Sequence, residues 1–369
     1  MKVAVVHDWL VINGGAEKVT REILHCFPEA DVFSLVDFLS KEDREFILLG
    51  KQTVNSFIQH LPGAEKHYRN YLPLFPAAIE SLDLSHYDLI ISSSYAVAKG
   101  VKKTNRQLHI CYCHSPMRYA HDLYEHYLYE TGLGRFKRLA AKLVLPRIRK
   151  WDIRVTNRVD YFIANSDFIK ARIKRVYSRD AVVIHPPVDL SAFALKTKKQ
   201  DYYLCYGRQV PYKKTDEVMK AFEQLPHLRL IVAGGGPEVN SLKAMASKNV
   251  EVLGELPFDE LVQIVSNAKA LIVAAEEDFG ITPLEAQATG TPVIALHKGG
   301  YLETVVAEET GIFFEEAKSK PIKEAVELFE KQSFDPMNCR KNAERFGIDR
   351  FLTEFRTFVA DKTEARLQS

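Results

Sequence analysis

Short apolar runs of strand length recur along the chain, separated by longer stretches of mixed polarity. Lys2-Val3-Ala4-Val5-Val6, Asp88-Leu89-Ile90-Ile91-Ser92-Ser93-Ser94 and Leu108-His109-Ile110-Cys111-Tyr112-Cys113 are three of them in the first half. Tyr202-Tyr203-Leu204-Cys205-Tyr206, Arg229-Leu230-Ile231-Val232-Ala233, Val250-Glu251-Val252-Leu253-Gly254 and Ala270-Leu271-Ile272-Val273-Ala274-Ala275 lie in the second. Most are apolar at consecutive rather than alternate positions, as expected of strands covered on both faces in a parallel sheet. The stretches between them have helical patterning, so the alternation predicts right-handed crossovers and a parallel sheet in each half. Near the end, Phe351, Phe355 and Phe358 recur at helical spacing and predict one more helix with an apolar face.

A chain of 369 residues exceeds the usual single core, and its 46% hydrophobic content is enough for two. The break falls at Ile184-His185-Pro186-Pro187-Val188-Asp189, where two prolines follow a strand, giving domains over 1–185 and 186–345. Five cysteines without paired spacing point to reduced thiols and a cytoplasmic protein. The chain starts directly on a strand and no apolar run approaches about 18 residues, so neither a signal peptide nor a membrane span is expected. The formal net charge is only +2, but 135–158 concentrates Lys137, Arg138, Lys142, Arg147, Arg149, Lys150 and Arg154 among Phe136, Leu139, Leu143, Val144, Leu145, Ile148 and Trp151. Such a basic amphipathic helix either lies on an anionic membrane or covers its own domain with a solvated outer face. The aromatic and basic residues of Tyr68–Pro76 are candidates for the same surface. No nucleic-acid motif accompanies the charge, so nucleic acid is not an expected partner.

The candidate chemistry sits where the runs end. After Ala270–Ala275 come Glu277, a turn at Gly280, Pro283 in the first turn of a helix, Glu285 about one turn inside it and a stop at Gly290. The amides of Gly280, Ile281 and Thr282 then face outward at a positive helix end, and two carboxylates bracket a polyhydroxylated ligand. After Tyr206-Gly207, Arg208 and Lys213 meet across a turn, where two cations suit the developing charge of a diphosphate. Gly234-Gly235-Gly236 and Glu255-Leu256 end two further strands, at positions where backbone can approach a ligand closely. In the first half, Gly14-Gly15 opens a helix after the first strand without a Gly-x-Gly-x-x-Gly, which argues against a dinucleotide oxidoreductase. Glu17 and Lys18 fit packing or solvation better than catalysis. His114 closes a strand, and although Cys111, Cys113 and His114 invite zinc, no fourth ligand has suitable spacing, so no metal is expected. There is also no Asp-x-Asp of the kind that holds a divalent ion.

Glu277-x7-Glu285, succeeded by Gly290-Thr291-Pro292-Val293-Ile294-Ala295 and Gly299-Gly300-Tyr301-Leu302-Glu303-Thr304, resembles the signature of the retaining glycosyltransferases of family 4. The resemblance implies the α/β GT-B fold, with two Rossmann-like domains of parallel sheets facing a central cleft and the last helix, about 346–369, packing back on the first domain. It implies Glu277 at the donor sugar, Glu285 on the ribose hydroxyls, and the backbone of Phe279, Gly280, Ile281 and Thr282 on sugar and diphosphate. Arg208 and Lys213 would compensate the diphosphate, Gly235, Glu255 and Leu256 would border the nucleotide, and Gly14 and Gly15 would lie at the diphosphate and the acceptor entrance. The family often has a histidine at this place, so the resemblance implies His114 near the donor sugar, and Cys113-His114-Ser115-Pro116-Met117-Arg118-Tyr119 resembles the mannosyltransferases of bacterial O-antigen and exopolysaccharide assembly. One departure is Lys214, where the family usually has glycine after the lysine.

The expectation is therefore a metal-independent hexosyltransferase without a cofactor, using a nucleotide sugar, GDP-mannose, and a lipid-linked or oligosaccharide acceptor at the inner membrane face. A UDP-sugar transferase, a non-transferring epimerase-like enzyme and a non-catalytic carbohydrate-binding or membrane-binding protein are the competing readings. Acceptor dependence separates transfer from epimerisation, and the four groups Glu277, Glu285, Arg208 and Lys213 disfavour a non-catalytic protein.

Overall fold

The computed structural model describes residues 1–129 and 134–368. Ser369 and the side chain of Phe136, both within segments singled out above, lie outside the described part. The chain divides into two units, one of Met1–Pro187 with Phe351–Ser369 and one of Val188–Arg350.

The first unit is built on seven parallel strands: β1 (Val3–His7), β2 (Asp31–Ser34), β3 (Thr53–Asn55), β4 (Leu89–Ser94), β5 (Leu108–Cys113), β6 (Tyr161–Ala164) and β7 (Ala181–Val183). Their order is β3-β2-β1-β4-β5-β6-β7. The unbroken apolar runs have a direct cause, since Ala4 and Val6 of β1 enter one apolar layer while Val3 and Val5 enter the layer on the opposite face. Helix α1 (Gly15–Cys26) follows β1, and the basic helix α2 (Arg135–Val155) turns Ile148, Trp151 and Val155 into the core. The aromatics of Tyr68–Pro76 do not share the surface expected of them. Tyr68 and Phe75 are buried around Trp9, with ring centroids 5.6 and 6.0 Å from it, because large rings gain more from that contact than from water.

The second unit holds six parallel strands: β8 (Tyr203–Tyr206), β9 (Leu230–Ala233), β10 (Val250–Gly254), β11 (Ala270–Val273), β12 (Val293–Leu296) and β13 (Gly311–Phe314). Their order is β10-β9-β8-β11-β12-β13. Strand β11 is shorter than its apolar run, because Ala274 and Ala275 are buried beyond its end, in the approach to the next turn. Helix α3 (Thr215–Glu223) follows β8, and α4 (Ile281–Ala288) follows β11.

In each sheet the direction of winding reverses once, between β1 and β4 and between β8 and β11. Such a reversal leaves a crevice at the carboxyl ends of the strands, where ligands of open α/β sheets bind. The last helix, α5 (Ile348–Leu367), belongs to the first unit from Phe351 onward. Phe351 and Phe355 are fully buried and stack at 5.4 Å, and the rings of Tyr112 and Phe27 lie 6.0 and 6.4 Å from Phe351 and Phe355 respectively. Replacing Phe355 with alanine should lower the stability of this unit by about 3–5 kcal/mol. Urea denaturation monitored by tryptophan fluorescence measures it, since both tryptophans, Trp9 and Trp151, lie in this unit.

Candidate active site

All strands of the second unit run in the same direction, so the loops after β8, β9, β10 and β11 share one edge of the sheet. That edge gathers Arg208 and Lys213 (after β8), Gly235 (after β9), Glu255 and Leu256 (after β10), and Glu277 through Glu285 (after β11).

The turn after β11 is held by close backbone packing. Gly280 has φ +95°, a region that disfavours side chains, and a Cβ there would come 2.7 Å from the Tyr301 ring. A Cβ on Gly300 would lie 2.3 Å from the Phe279 Cα, and the Gly300 N–H donates to the Glu277 carbonyl at 2.8 Å. The Gly299-Gly300-Tyr301 segment therefore acts as a floor under the Glu277–Gly280 turn. The Phe279 side chain is buried 5.6 Å from the Phe346 ring, leaving its backbone as the part that can meet a ligand. Gly280 caps α4 with no side-chain hydrogen bond to the helix end.

Two contacts orient the carboxylates. Lys213 Nζ lies 2.5 Å from Glu277 Oε1. Burial opposes the charge on Lys213, and the Glu277 carboxylate more than offsets it, so the ammonium titrates above the ordinary lysine range. Glu285 Oε2 accepts a hydrogen bond from Tyr206 Oη at 2.7 Å, and the same hydroxyl lies 3.1 Å from the Thr282 carbonyl oxygen. Burial and then the Glu285 charge hold that phenol protonated well above its usual range. Tyr206 was not among the residues singled out from the sequence. Its only sequence signal is a hydroxylated aromatic at the end of a buried strand.

Arg208 is exposed. Lys214, at the glycine position, takes φ +57° and caps α3, a left-handed conformation that is free of strain for glycine and costs a side-chain-bearing residue about 1 kcal/mol. The Gly234–Gly236 turn interlocks with the Arg208 loop: a Cβ on Gly234 would sit 1.9 Å from the Gly207 carbonyl oxygen, and Gln209 N–H donates to Gly235 O at 2.8 Å. A Cβ on Gly235 would also meet the Glu255 carboxylate at 2.9 Å. Glu255 itself is exposed, and Leu256 is half-buried against the unit's core.

In the first unit Gly14 precedes α1 in extended conformation and Gly15 is its first residue, on the edge where β1 ends. His114 comes directly after β5 on that same edge. It is half-buried, with its ring Nε2 2.8 Å from Ser93 Oγ and its backbone amide donating to the Ser94 carbonyl at 2.9 Å. Burial, with a contribution from His7, pushes its pKa down to about 3, so the imidazole is neutral at physiological pH. Glu17 is buried beside His7 and belongs to the packed interior.

Asp8, which sequence reasoning missed, is fully buried directly after β1. Its carboxylate accepts the amides of Tyr95, Ala96, Val97 and Ala98 at 2.6, 2.9, 2.6 and 2.6 Å, fixing the loop after β4. A charged residue at the end of a buried strand, beside the winding reversal, was the available signal. Cys111 and Cys113 lie in an apolar cluster with Phe162 and Ile169. Among the described residues no group of three or more His, Cys, Asp or Glu is placed to hold a metal ion, and no helix is long and apolar enough to cross a membrane.

Two family models match the chain: Glycosyltransferase Family 4 over residues 13–192 and Glycosyl transferases group 1 over residues 189–346. A GDP-mannose-dependent monoacylated alpha-(1-6)-phosphatidylinositol monomannoside mannosyltransferase of Corynebacterium glutamicum is 30% identical over 203 residues, 47% of this chain and 53% of its own. The chain thus spans about half the length of that relative. Among solved structures, sucrose-phosphate synthase from Thermosynechococcus elongatus superposes with a TM-score of 0.72 at 18% identity, covering 99% of this chain and 100% of the other. Anabaena HepE in complex with UDP does so at 0.70 and 17%, covering 98% and 100%. With the two family matches running together from residue 13 to 346 and these structures superposing over 98–99% of the chain, the chain belongs to glycosyltransferase family 4 and has the GT-B fold.

Proposed function

We propose that the protein is a retaining hexosyltransferase that moves mannose from GDP-mannose to a lipid-linked or oligosaccharide acceptor in cell-surface polysaccharide assembly. The observation that carries this reading is the paired arrangement on one sheet edge, Lys213 with Glu277 and Tyr206 with Glu285, around a helix start without a side-chain cap. Arg208, Lys213 and the amides of Gly280, Ile281 and Thr282 draw charge onto the departing diphosphate. The acceptor hydroxyl approaches the same face of the sugar. Its oxygen bonds to the anomeric carbon as the bond to the diphosphate breaks, and its proton passes to the leaving phosphate oxygen. Glu285 receives the ribose hydroxyls, and Glu277, oriented by Lys213, works at the sugar. Side-chain cations supply the compensation that a divalent ion supplies elsewhere, so transfer should persist in excess chelator.

GDP-mannose is favoured by the Cys113–Tyr119 resemblance and by the donor that the Corynebacterium relative is named for. A UDP-sugar donor is the second reading, favoured by the UDP complex of Anabaena HepE. Incubation with each nucleotide sugar, with and without saccharide acceptors, and then NMR of the product's anomeric proton, separates these cases. The proposal predicts an acceptor-dependent α-mannoside from GDP-mannose. Preference for a UDP-sugar overturns the donor, and a donor altered without any acceptor overturns transfer.

Within that assay, Glu285→Ala should raise the donor KM roughly tenfold or more, the worth of a hydrogen bond to a charged group, with little change in kcat. Glu277→Ala should chiefly depress kcat. Equal losses in both parameters for both variants would contradict the division of labour.

We also assign α2 to an anionic membrane face. Leu139, Leu143 and Ile153 are 61%, 58% and 42% exposed and fall on one stripe, among the exposed Lys142, Arg147, Lys150 and Arg154. The helix's one acid, Asp152, is turned inward onto Lys99 at 2.6 Å. Apolar side chains with flanking cations suit insertion among anionic headgroups, each cation contributing about 1 kcal/mol near the surface. The protein should sediment with phosphatidylserine vesicles and not with neutral ones, and added salt should weaken the binding. The double variant L139D/L143D should lose it, and equal binding by wild type and variant would refute the assignment.

A further inference from the structure

Behind His114 runs a buried chain of polar groups that the transfer reading does not use. His7 of β1 pairs in register with Ser93 of β4, and Glu17 and Thr20 approach from α1. His7, Thr20 and Ser93 are each 0% exposed and Glu17 is 2% exposed, so water cannot substitute for a missing partner. His7 Nε2 lies 3.4 Å from Glu17 Oε1, and His7 Nδ1 lies 3.1 Å from Ser93 Oγ and 3.0 Å from Thr20 Oγ1. Thr20 Oγ1 lies 2.9 Å from Ser93 Oγ, which in turn lies 2.8 Å from His114 Nε2.

Counting protons gives these contacts a direction. An ionised carboxylate only accepts, so a neutral His7 carries its proton on Nε2 toward Glu17 and has a bare Nδ1. That nitrogen needs a donor, and each hydroxyl has one proton to give. If Ser93 donates to His114, Thr20 must serve His7, and the 2.9 Å contact between the two hydroxyl oxygens is left without a proton. If Ser93 donates to His7, Thr20 donates to Ser93, and His114 Nε2–H donates to the remaining Ser93 lone pair. Every assignment that leaves His7 Nδ1 with a donor and puts a proton in both of the shortest contacts has His114 Nε2–H donating to Ser93. If the Thr20 hydroxyl instead turns to the Ala16 carbonyl oxygen at 3.1 Å, Ser93 must serve His7 and His114 is again the donor.

We infer that Glu17, His7 and Ser93 are positioning residues that hold His114 as its neutral Nε2–H tautomer, so that Nδ1 is left as an acceptor for a sugar hydroxyl. The depressed pKa of His114 agrees, since a protonated ring would have no acceptor to offer. The inference about the hydroxyl rests on the reading of His114 as a residue at the donor sugar. The tautomer itself does not.

The test is nitrogen NMR of the full chain labelled with 15N-histidine, without substrate, the His114 signals being assigned by their loss in His114→Asn. Wild type should show His114 as the Nε2–H form near neutral pH. Ser93→Ala should move both ring nitrogens toward a tautomer mixture. The isosteric Glu17→Gln should do the same with the fold intact, because an amide either donates or accepts and no longer dictates the His7 proton. An Nδ1–H tautomer in wild type, or unchanged His114 shifts in both variants, overturns the inference. Donor kinetics separate the two levels: with the tautomer lost, kcat should fall about three- to tenfold, the value of one hydrogen bond, at nearly constant donor KM. A moved tautomer with unchanged turnover leaves the relay standing and removes His114 from the sugar.

Discussion

Parallel strand direction is the constraint on which the candidate site depends. Because every strand of the second unit points the same way, the carboxyl ends of β8, β9, β10 and β11 lie on one edge, and so do the loops that carry Arg208, Lys213, Gly235, Glu255 and Glu277. The winding reversal between β8 and β11 opens that edge where Lys213 of one loop meets Glu277 of the other. An antiparallel strand in the middle of this sheet would send one of these loops to the opposite edge and break the Lys213–Glu277 pair.

The loops themselves are shaped by backbone contact more than by side chains. Gly234 against Gly207, and Gly300 against Phe279, leave no room for a Cβ, so the turns interlock at van der Waals distance. Such a turn holds amides in place without depending on a ligand, as an oxyanion-type site requires. Lys214 shows the tolerance of the arrangement: the left-handed conformation is adopted even with a side chain present, and α3 starts at the next residue.

Much of this was legible from the sequence, and the reason is local. Apolar run lengths report parallel strands, and turn glycines, prolines and nearby charges mark the loop at each strand's end, so the Glu277–Glu285 and Arg208–Lys213 segments stood out within a few residues of chain. The contacts that were missed join residues far apart in sequence. Tyr206 meets Glu285 only after β8 and β11 pair, Asp8 captures amides 87 to 90 positions away, and the His7–Ser93–His114 chain needs three strands in register. Tyr68 and Phe75 were misplaced for the opposite reason: a basic and aromatic segment has the composition of a surface, yet its rings pack on Trp9.

The central claim is that side-chain cations on the edge of the second unit receive a nucleoside diphosphate. Isothermal titration of GDP into wild type and Lys213→Ala tests it most directly, because it measures binding with no acceptor and no turnover. Saturable one-to-one binding weakened about tenfold or more by the substitution, roughly 1.4 kcal/mol, is the expected result. Equal GDP affinity in the two proteins, or no binding to either, would contradict the account.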